Sequence, residues 1–349
     1  MMEMRNLAPG YSISRVIRGG WQLAGGHGPV DRPAAIAGFG QTHEAGIVAV
    51  DCADIYTGVE ELIGEFRADL LARGGREALS RLKVHTKFVP DLSVLPVIDK
   101  AYVRTIIERS LRRLRTERLD LVQFHWWDYT IPGCIETAQW LDELRREGKI
   151  DLLGGTNFDS AHLEAMVGAG VPVKTMQVQY SVLDNRPAAS MAALCERLGV
   201  SLLCYGSVAG GFLSEKWLGK PEPSLNKLEN RSLVKYKLII DDFGGWDAYQ
   251  ALLSALDRLA KRKGVSLSTI ASRYVLEQKS VAAVIVGARS AAHLAENLAI
   301  GSLSLSAADL AEIDEVLAGR KGPLGDVYAL ERDRSSPHGA IMKYDLNKE

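Results

Sequence analysis

Apolar and polar positions fall in alternating blocks along the chain. Divided at its glycines and prolines, the sequence alternates short apolar or β-branched runs with longer stretches of helical spacing. Eight short runs stand out, at residues 14–18, 48–52, 83–88, 119–124, 150–154, 175–180, 201–205 and 282–286. Runs of this kind, bounded by turn residues, predict strands buried on both faces. Between them, Val103, Ile106, Ile107, Leu111 and Leu114 form one stripe of a helix predicted over 100–116. Ile135, Ala138, Leu141 and Leu144 do the same over 134–147, and Gly148 stands where a C-cap glycine belongs. Ser306 and Asp309 form an S-x-x-D capping pattern ahead of Leu310, Ile313, Val316 and Leu317.

Strand-then-helix alternation implies parallel strands joined by right-handed crossovers. Eight such units favour an α/β fold closed into a (β/α)₈ TIM barrel over an open sheet. Length alone, at roughly 150 residues per domain, suggests two domains, but such barrels commonly run from about 200 to over 400 residues. No break in composition divides the 349 residues. The chain 1–349 therefore reads as one barrel domain, with a core over about 12–318 and a C-terminal tail over about 320–349. Two stretches break the rhythm: 209–245, after the seventh strand, and the tail. Structureless loops over about 15 residues are usually functional. The first follows a strand's C-terminal end, where a barrel carries its active site, and is expected to be a lid.

Composition narrows the function classes. With 42 basic against 43 acidic side chains, a net charge of −1 offers no footprint for nucleic acid or anionic lipid. No apolar run approaches the roughly 18 residues of a membrane helix, and the N-terminus has no secretory apolar region. Cys52, Cys134, Cys195 and Cys204 lie far apart with no C-x-x-C pair. That suits reduced thiols in the cytoplasm better than disulfides, and no metal set is expected.

Polar residues that would be costly in barrel strands gather at one place, the strands' C-terminal ends. Asp51 closes the second run, with Tyr56 five residues on; Lys87 sits in the third; His125 follows the fourth. Thr156 and Asn157 follow the fifth, Gln177 and Gln179 lie in the sixth, and Tyr205 ends the seventh. A tyrosine can act as a general acid at neutral pH, and a neighbouring ammonium would lower its pKa from about 10. Asp51 would keep Lys87 charged, and His125 could orient a carbonyl oxygen by hydrogen bonding. Such a set can protonate a developing alkoxide but has no electron source, so a hydride-donating cofactor is implied. His85, two residues before Lys87, is expected to face away and is assigned no role.

Asp51-Cys52-Ala53-Asp54-Ile55-Tyr56 with Glu60-Glu61-Leu62-Ile63-Gly64 resembles the D-T-A-x-x-Y…E-x-x-x-G signature of the aldo-keto reductase superfamily. His125-Trp126-Trp127-Asp128, Leu141-Asp142-Glu143-Leu144, Gly148-Lys149-Ile150 and Gly155-Thr156-Asn157-Phe158 are similar to its H-W-x-D…L-x-x-L…G-K-I…G-x-S-N-F run. Met176-Gln177-Val178-Gln179-Tyr180, Val286-Gly287-Ala288-Arg289 and Glu296-Asn297 resemble its remaining pieces. The resemblance covers roughly residues 12–318, in order, and includes a branch of channel β-subunit-like and radial-spoke-like members.

The resemblance implies a (β/α)₈ barrel that binds NADPH, with NADH possible, without a Rossmann domain. The chain has no G-x-G-x-x-G after a strand and no Walker A run. It makes Tyr56 the proton donor, Lys87 and Asp51 its tuning pair, and His125 the carbonyl orienter. Thr156, Asn157 and Gln177 would hold the nicotinamide carboxamide, with Tyr205 stacked on its ring. Ser207, Val208 and Gly210 would lie along the pyrophosphate, and Gly20, Trp21 and Asp51 beside the nicotinamide end. Gly287, Arg289, His293, Glu296 and Asn297 would meet the adenosine end. Trp21, Tyr56, His125 and Trp126 would line the pocket for a small carbonyl substrate.

Departures from the family pattern include Cys52 for Thr, Thr156 for Ser, and Cys204-Tyr205-Gly206-Ser207 where A-Y-S-P is common. His293 stands where many members carry Arg or Gln, which leaves Arg289 as the cation for a 2′-phosphate. The reading is an NADP-dependent carbonyl reductase. Its alternative is a nucleotide-binding regulatory or structural subunit of the same fold, with the tail serving a partner. Neither the substrate nor the oligomeric state is legible.

Overall fold

A computed structural model describes residues 2–26, 28–287 and 291–347. Two short strands, β1 (Met4–Ala8) and β2 (Tyr11–Ser14), form an antiparallel hairpin around Gly10, whose φ of 74° suits a tight turn. Eight parallel strands follow: β3 (Val16–Gly19), β4 (Ala49–Asp51), β5 (Lys83–Phe88), β6 (Leu119–Phe124), β7 (Ile150–Thr156), β8 (Val173–Gln179), β9 (Ser201–Tyr205) and β10 (Val281–Gly287). They close a barrel in the order β10-β3-β4-β5-β6-β7-β8-β9. The (β/α)₈ expectation holds.

The first strand does not begin where the apolar run predicts. Ser14 ends the hairpin, its hydroxyl donating to the Val16 carbonyl at 2.6 Å, and β3 starts at Val16. The hairpin escaped the sequence reading because its segments are too short and mixed to carry a period. In the fold it plugs the barrel's N-terminal end. Leu7, Tyr11 and Ile13 are buried there with Ile17, Ala49, Leu121, Leu203 and Ala283 from the strands' inner faces.

Helices pack around the barrel, several of them started by a side-chain cap. Asp99 accepts from Tyr102 N at 2.7 Å to open helix Lys100–Arg113, and Asp159 accepts from His162 N at 2.8 Å ahead of Ser160–Gly168. The predicted Ser306–Asp309 capping box is present at helix Ala307–Leu317. Gly148, at φ 84°, follows helix Cys134–Arg146 as its spacing implies.

The stretch after β9 is more ordered than a loop. It carries helix Arg231–Phe243, capped by Asn230, followed by helices Trp246–Lys263 and Leu267–Leu276 that lead into β10. Tyr236, Ile239, Ile240 and Phe243 bury one face of the first of these against Phe212, Leu213 and Tyr249. The tail folds back across the barrel's C-terminal mouth in two short helical turns, Ala329–Arg332 and Pro337–Ala340. Its end is pinned to the loop after β5, where Asp91 accepts from Leu346 N and Asn347 N at 2.8 and 2.9 Å. Among the described residues no helix is long and apolar enough to cross a membrane.

Candidate active site

The barrel's interior gathers its charged pair in the top layer. In a strand, residues two apart share a face, so β5 turns both His85 and Lys87 inward, one layer apart. Lys87 Nζ meets Asp51 Oδ2 at 2.6 Å and donates to the Cys52 carbonyl at 2.8 Å. Asp51 Oδ1 accepts from Gln177 Nε2 at 2.6 Å and from Gln123 Nε2 at 3.0 Å. Gln177 Nε2 also lies 3.0 Å from Gln123 Oε1. The carboxylate thus receives three donors in a water-poor interior, which is what makes a buried ion pair tolerable.

Tyr56 stands above this layer, with Lys87 Nζ 5.0 Å from its ring centre. Trp21 flanks it at 5.0 Å between centroids, and Trp21 Nε1 donates to Ser232 Oγ of the helix after β9 at 3.3 Å. Burial disfavours the Lys87 ammonium, but Asp51 and Tyr56 override it and raise its pKa above the ordinary value. The Tyr56 phenol behaves against expectation. Burial raises its pKa above 10, and the lowering supplied by Lys87 does not cancel that rise. The hydroxyl is therefore held protonated, available as an acid throughout the neutral range.

His125 reaches the same mouth from the end of β6. Its Nδ1 lies 2.9 Å from the Thr156 carbonyl oxygen. A carbonyl can only accept, so Nδ1 carries the proton. Burial, with Arg332 assisting, lowers the His125 pKa to about 3, which keeps the ring neutral. Nε2 is then a lone-pair acceptor, and it has no hydrogen-bond partner among the described residues. A neutral ring in this tautomer cannot donate to a carbonyl oxygen, which departs from the orienting role expected of it; it can accept the proton of a hydroxyl.

The remaining residues assemble unevenly. Asn157 adopts a left-handed backbone at φ 61°, and its Oδ1 accepts from the Tyr205 hydroxyl at 2.9 Å. Ser207 is turned away, its hydroxyl 2.9 Å from Ser272 Oγ. Gly206 and Gly210 have φ values of 77° and 64°; a Cβ on them would lie 2.5 and 2.8 Å from atoms of Tyr236. Glycine alone fits at these two positions of a turn that has the tight backbone a pyrophosphate loop needs. Val208 lies within it. Gly20 N donates to the Asp51 carbonyl at 2.7 Å, and a Cβ on Gly287 would meet the Gln22 side chain. His293 Nδ1 lies 3.3 Å from Glu296 Oε2 at the surface, and Asn297 is buried nearby. Arg289 lies outside the described residues. The donor set, the glycine turn and Tyr205 fit an extended nicotinamide dinucleotide, though Gln177 offers only its carbonyl oxygen because its amide nitrogen is taken.

Two expectations need correction. Trp126 does not line the pocket: it has no exposed surface, and its Nε1 donates to the Asp128 and Ile131 carbonyls at 2.9 and 3.2 Å. Trp127 instead packs edge-on against His125 at 4.3 Å. His85 does not face away. It lies inside the barrel beneath Lys87, its pKa lowered to about 4 by burial.

Several residues at the mouth were not anticipated. Gln123 could have been found, because it is polar, on the inner face of β6, and two residues before His125. The tail residues could not, since no local pattern announces where a tail lands. Tyr328 packs edge-on against His125 at 5.6 Å. Arg332 donates to the carbonyls of Trp126, Trp127 and Asn157 at 2.5, 2.8 and 2.8 Å and lies 3.8 Å over the Tyr129 ring. Glu331 pairs with Arg186 through both oxygens, at 2.9 and 3.0 Å, and Arg186 pairs in turn with Asp184. Tyr328 and Glu331 are thus buried in the fold rather than extended from it.

Comparison with known proteins agrees with this architecture. A sequence model described as the aldo/keto reductase family matches residues 15–318. The aldo-keto reductase YhdN of Bacillus subtilis is 26% identical over 321 residues, covering 90% of this chain and 94% of its own length. The NADH-specific methylglyoxal reductase of Escherichia coli is 25% identical over 325 residues, covering 85% and 93%. A solved glycerol dehydrogenase from Gluconobacter oxydans superposes with a TM-score of 0.76 at 23% identity, covering 93% and 97%. The fold, the ordered motifs and the matched span make this chain a member of the aldo-keto reductase family of oxidoreductases, which use nicotinamide cofactors.

Proposed function

We propose that the protein is an NAD(P)H-dependent carbonyl reductase in which Tyr56 delivers the proton. The observation that carries this reading is the buried Lys87–Asp51 pair beneath a protonated Tyr56, at the same end of the barrel as a neutral histidine whose Nε2 has no partner among the described residues. The bound nicotinamide supplies the hydride. Asn157 and the carbonyl oxygen of Gln177 would hold its carboxamide, Tyr205 would face its ring, and the glycine turn at Gly206–Gly210 would lie along its phosphates.

The chain's own residues then manage the proton. As negative charge grows on the substrate oxygen, the Tyr56 hydroxyl transfers its proton and becomes a phenolate. Lys87, held charged by Asp51, stabilises that phenolate. The new alcohol's proton can hydrogen-bond to His125 Nε2, so the histidine orients the hydroxyl end of the reaction rather than the carbonyl end. The reverse direction uses the same groups. NADPH is the expected partner if Arg289 meets a 2′-phosphate, and the NADH-specific E. coli relative shows that family membership does not decide the matter.

The test is a pair of measurements. Tryptophan-fluorescence titration with NADPH and NADH in parallel reports binding, and a panel of aldehydes and ketones reports turnover. Tyr56→Phe is expected to lower turnover by at least about a hundredfold, the usual scale of a positioned general acid, with nucleotide affinity retained. Parallel loss of both would count against the assigned role, and no response to either nucleotide would end the reductase reading.

A further inference from the structure

Gln123 has no role in the chemistry above, yet it lies among the hydrogen bonds that hold the site together. Its side chain comes from the inner face of β6 and has no exposed surface. An amide in a barrel interior is costly unless it is bonded, and Leu121, one layer below on the same face, shows the cheaper apolar choice. The bonds of Gln123 run in two directions. Its Nε2 donates to Asp51 Oδ1 at 3.0 Å, and its Oε1 accepts from Gln177 Nε2, also at 3.0 Å. Gln177 Nε2 donates to the same Asp51 oxygen at 2.6 Å. A carboxylate only accepts, so both amides must present nitrogen to it.

The two N–H groups of Gln177 are therefore both spent, one on Asp51 and one on Gln123, and its oxygen is the atom left to offer. A bond to Asp51 alone would fix the distance of the Gln177 amide but let its plane turn. The second bond, to Gln123, fixes the plane. Asp51 meanwhile divides its oxygens, Oδ2 for Lys87 and Oδ1 for the two glutamines.

We propose that Gln123 is a positioning residue for the cofactor: it braces the Gln177 amide against Asp51, so that the Gln177 oxygen is held ready to accept from the nicotinamide carboxamide. The inference rests on the nucleotide site of the reductase reading and adds to it a residue that acts through Gln177. The competing role is structural, with Gln123 doing no more than satisfying Asp51. That role would support the barrel mouth as a whole and would not single out the nicotinamide.

The experiment measures nucleotide affinity by isothermal titration calorimetry on wild-type, Gln123→Met and Gln123→Glu proteins at about pH 6. The ligands are NADP+ and NAD+, each paired with the matching ADP-ribose, which lacks nicotinamide. Gln123→Met has similar length but neither donor nor acceptor. It is expected to weaken the dinucleotides by about three- to tenfold, the worth of one neutral hydrogen bond, and to leave the ADP-riboses unchanged. In Gln123→Glu, burial and the facing Asp51 carboxylate favour the protonated acid against the pull of Lys87. Its O–H can donate to Asp51 and its C=O can accept from Gln177, the pattern of the amide, so most of the affinity should return. Circular dichroism of each variant checks folding.

Unchanged dinucleotide affinity in Gln123→Met, equal weakening of dinucleotides and ADP-riboses, or no recovery in Gln123→Glu each overturns the inference and leaves the reductase reading in place. Wild-type protein that binds neither dinucleotide overturns both. If the affinities follow the expected pattern but wild-type protein reduces no aldehyde or ketone, the inference stands as nicotinamide recognition and the reductase reading falls.

Discussion

The two ends of this barrel bury the same kind of residue to opposite effect. At the N-terminal end, His85 lies against Tyr11 with 6.2 Å between ring centroids, and both its ring nitrogens and the Tyr11 hydroxyl lack partners among the described residues. At the C-terminal end, His125 spends one nitrogen on the Thr156 carbonyl and leaves only Nε2 without a partner among the described residues. Both rings are neutral through burial. The bottom histidine is closed in by the hairpin plug, whereas the top one is framed by Trp127, Tyr328 and the carbonyl-holding Arg332. An unpaired polar group beneath the plug is a stability cost, whereas the one at the C-terminal end sits among the residues proposed to bind ligand.

The comparison breaks most sharply at the proton donor, where Tyr56→Phe has the largest expected effect, a loss of turnover of at least about a hundredfold. Next comes Lys87→Met. It leaves Asp51 buried without its ion partner, so a destabilisation of about 3–5 kcal/mol is expected in urea unfolding, together with loss of turnover. At the mouth, Arg332→Met removes a guanidinium from three carbonyls. It should raise KM for nucleotide and substrate more than it lowers kcat, and Arg332→Lys should rescue only part, because a point charge cannot replace a planar fork. Equal effects of Met and Lys on stability alone would reduce Arg332 to a structural strut.

The histidines give the smallest but most discriminating effects. His85→Leu is expected to leave turnover near wild type and to stabilise the protein at neutral pH by up to about 1–3 kcal/mol, the cost of an unsatisfied buried polar group. His125→Gln should lower turnover with little gain in stability. For both rings the folded pKa, about 4 for His85 and about 3 for His125, lies below the ordinary 6.5. The unfolded chain therefore binds more protons in that interval, so their contribution is complete above about pH 6.5 and is lost as pH falls toward 4 and then 3. Unfolding free energies measured from pH 7 to pH 4 should fall less steeply in His85→Leu than in the parent. Carbonyl reduction should show no histidine inflection between pH 5 and 8, declining only above about pH 10 where Tyr56 ionises.

Much of this was legible in the order of residues. Strand positions, the capping box at Ser306 and the clustering of Asp51, Tyr56, Lys87 and His125 at strand ends follow from period and turn chemistry, which are local. The hairpin plug was missed because β1 and β2 are too short to show a period. The inward face of His85 is written in the two-residue repeat of β5, which places it on the same side as Lys87. The tautomer of His125 depends on one carbonyl, that of Thr156, thirty-one residues away.

What the sequence determined by itself is the barrel and the chemical kinds at its rim, because alternation and spacing are written along the chain. What only the tertiary structure decided is which groups are satisfied. The Tyr56 phenol is raised rather than lowered because the weight of protein around it exceeds the pull of one ammonium. Arg332, Glu331 and Tyr328 come to the mouth because a tail folds back some two hundred residues to reach Trp126. Burial and long-range contact are properties of the closed molecule, and no local pattern encodes them.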